Sequence, residues 1–341
     1  MARERVTKYP EPNQQYGLGI ALRKRYPSVA LDTPATEGDW SNIPREFVEL
    51  LRGRITDDSI LAAHVLRSSP LCTLNVQGKC STKLEHFPGM SSTFIDVAPG
   101  AVLDCAERTG SATGEGAPYT SALVLLRVGA GGHVRWHGQS IGAPGHTVVE
   151  RMVVLSRDAV FEHVSALLAA DAMRDTTHVV LEEPGATVRT RTLFAGSQSH
   201  QFDLSVTAEH RAPRTVSDLR TRGVLDGKAQ AVVRGLVRVA QRAHGADGYQ
   251  RIDTLLLAPT AEVDPVPTLE INTNDVRCTH GVTTGHVNPE QLFYLQSRGT
   301  SEETARALLV DGFMRDVTDR FPEGERERLQ ESVRRVLLST L

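Results

Sequence analysis

Short apolar runs, each closed by turn residues, dominate the chain from about residue 93. In order they read STFIDVAPGA, SALVLLRVGAGG, HTVVERMVVLSRDA, THVVLEEPGA, TVRTRTLFAGS, AQAVVRGLVRVA, IDTLLLAP and PTLEIN. Several alternate apolar and polar positions, as in Val188-Arg189-Thr190-Arg191-Thr192-Leu193, the period of a strand with one polar face. Pairs of small residues recur after the runs (APGA, VGAG, SRDA, EPGA, AHGA) and fit tight corners where a larger side chain would crowd. Many short strands with few helices between them predict a sandwich, a barrel or a β-solenoid. The recurring corners favour the solenoid, whose rungs share one continuous core. RDAVFEHVSALLAADAM also carries helical periodicity, so the pattern alone leaves it open.

The two ends differ in texture. Pro44 suits the first turn of a helix whose Phe47, Leu50 and Leu51 share a face, and DDSILAAHVLRSS is a second helical candidate. GKCSTKLEHFPGMSS then breaks the pattern with Gly, Ser and Pro. After residue 287 the chain reads as helical. Asn288 caps, Pro289 takes the first helical position, Gln291 completes a capping box and Gly299 closes the helix. Thr300 with Glu303 starts a second helix carrying Ala305, Leu308, Leu309 and Phe313 on one face. Pro322 opens a third with Leu329, Val333, Val336 and Leu337. The expected organisation is a partly helical region over 1–92, a β core over 93–287 and a helical subdomain over 288–341.

Composition narrows the function. A chain of 341 residues, 40% hydrophobic, is long enough for a substantial core. A net charge of −3 and an aromatic content of 5% supply neither the basic field nor the stacking platforms of a nucleic-acid binder. The first residues, MARERVTKYPEP, lack the apolar core of a signal peptide, and no stretch approaches a membrane span. Cys72, Cys80, Cys105 and Cys278 are too few and scattered for a disulfide framework, so reduced thiols and a cytoplasmic location are expected.

Candidate chemistry is sparse. GSATGEGAP lacks the Gly-Lys-Ser/Thr ending of a phosphate-binding loop, and neither a GxGxxG nor a GxSxG elbow is present. His133, His137 and His146 resemble a metal set on a β scaffold, the basis of an alternative reading as a metal-dependent solenoid or cupin-like enzyme. Their spacing matches no HExxH or His-x-His pattern, and exposed loop histidines are the plainer reading. Cys278 and His280 place a soft thiolate and an imidazole two residues apart, in what reads as a short polar turn before the terminal helices. Two ligands do not close a four-coordinate site, so a metal there needs a partner surface or is held transiently. From the residues alone, a small buried Cys and a His bonded to the turn backbone is the favoured alternative.

The longer stretch around that pair reverses the preference. LEINTNDVRCTHGVTTGHVNPEQLFYLQSRG resembles the C-terminal part of the SufB/SufD family, scaffold subunits of the SUF iron–sulfur cluster assembly machinery. Leu269, Glu270, Ile271, Asp275, Val276, Cys278, His280, Gly281, Thr283 and Gly285 follow the D-type pattern, as does Leu292-Phe293-Tyr294-Leu295 with Ser297-Arg298-Gly299. The similarity runs upstream through TRGVLDGKAQAVVRGLVRVAQRAHGADGYQRIDTLLL and, more weakly, to about residue 93. The resemblance implies a mainly β fold, a right-handed parallel β-helix flanked by N- and C-terminal helical segments, and makes RDAVFEHVSALL a strand. It also implies a non-enzymatic scaffold with Cys278 and His280 as ligands of a transient iron–sulfur cluster shared at a dimer interface, and it admits a flavin in the assembled complex. The implied partners are a SufC-like ABC ATPase, a SufB-like chain or a second copy, and, indirectly, a cysteine desulfurase system, with no nucleic acid and no membrane. ATP hydrolysis would belong to the ATPase, docked at Phe293, Tyr294, Arg298, Gly299, Leu308 and Phe313. Ile252 stands where the B-type subunit has a cysteine, and Thr279-His280-Gly281 where it has Glu-His-Glu, which places the chain on the D side. Asn274 replaces a common Asp, and heterodimer or minimal homodimer both stay open.

Overall fold

A computed structural model describes residues 43–55, 61, 64, 71–86, 89–110, 119–141, 145–168 and 171–338. Its core is a parallel β-solenoid. One eight-stranded sheet holds β1 (Cys72–Val76), β3 (Gly89–Val97), β5 (Tyr119–Val128), β7 (His146–Leu155), β9 (Ala172–Leu181), β11 (Gln201–His210), β13 (Gln230–Val239) and β15 (Glu262–Ile271), stacked in that order. The facing sheet holds β2 (Lys79–His86), β4 (Val102–Gly110), β6 (His133–Ile141), β8 (Val160–Leu168), β10 (Thr187–Gly196), β12 (Val216–Leu225), β14 (Ala246–Leu256) and β16 (Val276–His286). All fourteen strand pairings are parallel. Among the described residues, helices α1 (Arg45–Ile55), α2 (Pro289–Ser297), α3 (Glu302–Thr318) and α4 (Glu323–Leu338) flank the stack.

The corners are built as their composition suggests. Gly100, Asp158, Gly185 and Gly245 take positive φ, and each is followed by a buried alanine, Ala101, Ala159, Ala186 or Ala246. The left-handed residue turns the chain, and the methyl group fills the narrow corner. Gly185 has a second reason besides its φ of 79°, since a Cβ there would lie 1.9 Å from Asp158 Oδ1 and push that carboxylate aside.

RDAVFEHVSALL forms β8, so its helical periodicity yields to pairing with β6 and β10. A strand buried on both faces is apolar throughout and carries no clean period of two. The first rungs, β1 and β2, lie ahead of residue 93, where no strand texture was read. Both are edge strands at the open N-terminal end and keep polar, exposed positions such as Lys79, Ser81 and Lys83.

Helices cover both outer faces. Phe47, Leu50 and Leu51 of α1 pack with Phe94, Leu125 and Met152 on the odd-numbered sheet. DDSILAAHVLRSS lies outside the described residues except Leu61 and His64, both helical and buried. GSATGEGAP lies outside them after Gly110. On the even-numbered sheet, Val310, Met314, Val317, Leu329, Val333 and Leu337 pack against Val164, Ala166, Leu193 and Val224. The buried stripe of α3 therefore runs through Ala305, Val310 and Met314, while Leu308, expected on the apolar face, is 51% exposed. Ser301 caps α3 in place of Thr300, its Oγ accepting from Thr304 N. Asn288 caps α2 as expected, accepting from Glu290 N and Gln291 N.

The space between the sheets is mostly apolar but holds a buried polar network at mid-height. Arg151 of β7 meets Glu107 of β4 (Nη2 to Oε2, 2.6 Å) and Asp175 of β9 (Nη1 to Oδ2, 2.8 Å). Trp136 Nε1 donates to Glu107 Oε2 at 2.9 Å, and His86 Nε2 lies 3.1 Å from Glu107 Oε1. Burial alone would raise the Glu107 carboxyl, yet Arg151 and His86 hold it well below the usual carboxylate range.

Burial makes three histidines poor bases: it lowers His64 and His210 to about 4 and His163 to about 3. Unfolding returns each to an ordinary value of about 6.5, so the unfolded chain binds more protons below that pH. Their contribution is therefore complete above about pH 6.5 and falls as pH drops toward about 4. The Glu107 interactions weaken in the same acid direction, below its ordinary value. Urea unfolding followed by circular dichroism should show a midpoint that changes little from pH 7.5 to about pH 6.5 and then falls toward pH 5. A flat midpoint would mean that the three imidazoles are not held neutral.

Candidate functional site

Cys278 and His280 lie on β16, the last strand of the even-numbered sheet, and not in a turn. The polar run Cys-Thr-His-Gly-Val-Thr-Thr-Gly hides a strand because, among the described residues, no further rung covers it, so apolar alternation is not required. Among the described residues the stack ends here, with β15 and β16 the last strands of their sheets.

Both side chains point between the sheets. Cys278 is in register with Gly248, and a Cβ built on Gly248 would lie 3.2 Å from Cys278 Sγ and 2.8 Å from Val237 Cγ1 of the opposite sheet. The thiol is thus half-buried against the end of the core, beside Leu269 and Val276. His280 is in register with Gln250, whose Nε2 crosses to donate to Thr268 O at 3.0 Å. Side chains two apart on a strand share a face, so the thiol and imidazole project together into the open end. His280 is exposed and has no hydrogen-bond partner among the described residues. Burial pushes the Cys278 thiol up, a hydrogen bond from the Gly248 backbone draws it back in part, and Asp247 adds to the rise.

Chemically this is half a site. A soft sulfur and a nitrogen on one strand face suit iron or another thiophilic metal and leave further positions for other donors. Among the described residues no group of three or more His, Cys, Asp or Glu could hold a metal unaided. Beneath Gly248, Ser217 Oγ and Thr215 Oγ1 each lie 2.8 Å from the buried His210 ring, so the interior below the thiol is polar. Gly248, Gln250 and Ser217 were not legible as part of this site, because their nearness depends on a register about thirty residues long.

The other histidine set does not come together. His133 and His137 are on β6, His133 paired with Glu162 (2.9 Å) and His137 against Phe321 of the helical layer, whereas His146 is on β7 of the opposite sheet. The remaining candidates lie further along the chain. Phe293 and Tyr294 on α2 are 72% and 57% exposed, and the Arg298 guanidinium sits 5.3 Å from the Tyr294 ring centre. Gly299 ends that helix at φ 87°. Phe313 is half-buried, its ring under Arg222, which also donates to the Phe313 carbonyl.

The described residues thus form a parallel β-solenoid whose last rung carries a thiol and an imidazole two residues apart. The family model described as "SUF system FeS cluster assembly, SufBD core domain" matches residues 81–313, most of the chain, and the protein belongs to that family. It is 30% identical over 226 residues to the iron–sulfur cluster assembly protein SufD of Escherichia coli, covering 66% of this chain and 53% of that one. SufBD family proteins of Mycobacterium leprae (31% over 196 residues, 55% and 50% covered) and Staphylococcus epidermidis (26% over 239 residues, 70% and 51% covered) are also similar. The chain spans about half the length of these relatives. Membership supports a role in SUF iron–sulfur cluster assembly. No helix among the described residues is long and apolar enough to cross a membrane.

Proposed function

We propose that this chain is a non-enzymatic scaffold subunit of a cytoplasmic SUF-type complex, and that Cys278 and His280 lend ligands to a nascent cluster at the open end. The observation that supports this is the pairing of thiol and imidazole on the inward face of an uncapped rung. Iron and sulfide are cargo here: a second solenoid end, from a SufB-like chain or another copy, supplies the remaining donors. A shared, incompletely enclosed cluster can leave, as assembly requires. Sulfur would come indirectly from a cysteine desulfurase system.

An ABC ATPase of the SufC kind would dock on the helical layer at Phe293, Tyr294, Arg298, Gly299, Leu308 and Phe313. Phe293, Tyr294 and Leu308 are large apolar or aromatic side chains left in solvent, the usual anchors of a protein interface. Because α3 and α4 share a buried cluster with the sheet, point changes test this better than removal of the helices. Phe293→Asp with Leu308→Asp should weaken ATPase association roughly 30-fold or more, the loss of one aromatic anchor. The melting temperature should hardly change, since both side chains are exposed. Affinity purification from the native cell followed by mass spectrometry checks the whole reading. Recovery of an ABC ATPase with the wild type, lost in the double variant, supports it; a lone chain with stoichiometric zinc refutes it.

A further inference from the structure

Arg189 and Arg191 are polar positions of the alternating strand β10 and lie on its outer face. The parallel register places Arg191 beside Arg220 of β12, and Arg220 beside Arg251 of β14. Neighbouring strands are about 4.8 Å apart, so three guanidiniums stand in one row across three rungs. Like charges opposite one another on adjacent strands repel. Elsewhere on this solenoid the sign alternates from strand to strand: Arg127 meets Asp96, Arg135 meets Asp104, Arg234 meets Asp203 and Arg238 meets Glu270. The row of arginines breaks that rule.

Two more cations close on the row. Arg222 of β12 and Arg320, just past α3, approach Asp316 of that helix at 3.7 and 3.9 Å. Arg222 also donates to Phe313 O, and Arg320 Nε to Asp316 O at 3.1 Å. Asp218 is shared, its Oδ2 accepting from Arg191 Nη2 (2.5 Å) and its Oδ1 from Arg220 Nε (2.9 Å). Asp253 Oδ2 accepts from Arg251 Nε at 2.8 Å. Among the described residues, five guanidiniums thus face three carboxylates, a surplus of two positive charges. Glu162 and Asp319 do not redress it, being paired with Arg189 and Arg326. Nor is this a loose solvated patch. The Arg191 side chain is only 7% exposed, and its Nε has no hydrogen-bond partner among the described residues, a costly state for a buried donor. Burial lowers the pKa of Arg191 against the pull of Asp218, and the charges of Arg220 and Arg320 lower it further. The Tyr249 ring holds the Arg220 guanidinium from below, 5.2 Å from its centre.

We infer that Arg191, Arg220, Arg222, Arg251 and Arg320 form a binding site for a doubly charged oxyanion of the phosphate class, free or as a terminal monoester, at the seam between the even-numbered sheet and the end of α3. A dianion matches the surplus of two charges in a single group. Its several oxygens suit planar guanidiniums, which pair with phosphate through parallel N–H donors. It would also relieve the repulsion along the row and give Arg191 Nε an acceptor. The site lies on the outer face of the sheet, whereas Cys278 and His280 project from the inner face, so it does not depend on the cluster-ligand reading.

The test titrates the full chain with inorganic phosphate, and with phenyl phosphate as a monoester probe, by calorimetry at constant ionic strength. Wild type should bind one equivalent with a Kd of roughly 1 mM or tighter. Arg220→Gln with Arg320→Gln should weaken binding at least about tenfold. The double variant should melt close to wild type without phosphate, because Asp218 keeps Arg191 and Asp316 keeps Arg222. Arg251→Gln, at a half-exposed position, should weaken binding by itself and keeps the test decisive if the double variant does not fold. Arg277→Gln removes a more exposed cation on β16 and should bind as wild type. Monoester binding as tight as that of inorganic phosphate assigns the site to an esterified phosphate, and binding of inorganic phosphate alone assigns it to the free ion; either supports the inference. Absence of saturable binding, wild-type affinity in the Arg220, Arg320 and Arg251 variants, or an equal loss in Arg277→Gln overturns it. A glutamate-rich peptide that binds more tightly than both probes through the same arginines overturns the phosphate class in favour of an acidic protein segment.

Discussion

Cys278→Ser is expected to reduce in-cell maturation of a reporter iron–sulfur enzyme to near background, with His280→Ala impaired but not more so. Thiolate binds soft iron and can share sulfide, whereas the serine hydroxyl keeps its proton near neutral pH and is a poor ligand. Loss of an outer-shell partner alone costs about 10–100-fold in metal affinity, so loss of the thiolate itself should cost at least that. His280→Ala removes a nitrogen donor that is exposed and unpartnered among the described residues, and water or another side chain can occupy the place. Folding should survive both. Cys278 is half-buried at the end of the core, and serine keeps its size; His280 is exposed. Complex recovery with the ATPase, measured in parallel, separates lost chemistry from lost assembly. Wild-type maturation by both variants would mean that the thiol and imidazole only finish the last rung.

What was legible in the sequence follows from what covers each residue. The corners stood out because a left-handed position followed by a buried alanine recurs at Gly100, Asp158, Gly185 and Gly245, and that need is local. The middle strands were legible through apolar content. The two ends of the stack were not: among the described residues β1, β2 and β16 have a neighbour on one side only, and polar residues are tolerated there. That is why Cys278 and His280 read as a turn, although they lie within a strand. Leu308 misled for another reason. Helical spacing places it near Ala305, but the sheet contacts α3 along the stripe through Val310 and Met314. Glu107, Arg151 and Asp175 were invisible as a group. Charged residues in a strand ordinarily mark its solvent face, and only the fold shows that these three meet between the sheets.

That buried group carries the largest expected effect on stability. Arg151→Met keeps most of the volume and removes the cation, which leaves Glu107 and Asp175 inside the solenoid without their counter-charge. Arg151, Glu107 and Asp175 have side chains only 4%, 1% and 7% exposed, so water cannot take over the lost hydrogen bonds. Burial already raises Asp175 despite Arg151, and loss of the guanidinium would raise it further. Glu107 is worse placed. It keeps Trp136 and His86 as neighbours, but its ionised form depends chiefly on Arg151 to offset burial. Breaking such a pair from one side typically costs about 3–5 kcal/mol, because the remaining charge is stranded. A melting temperature lower by roughly 10 °C is the expected reading. Removing the charges together is milder: Arg151→Met combined with Glu107→Gln and Asp175→Asn should recover much of the loss, since neutral amides are less costly to bury than orphaned carboxylates. Thermal unfolding of wild type, single and triple variants decides it. If the single variant melts with the wild type, or the triple melts far below the single, the charge pairing does not stabilise this core.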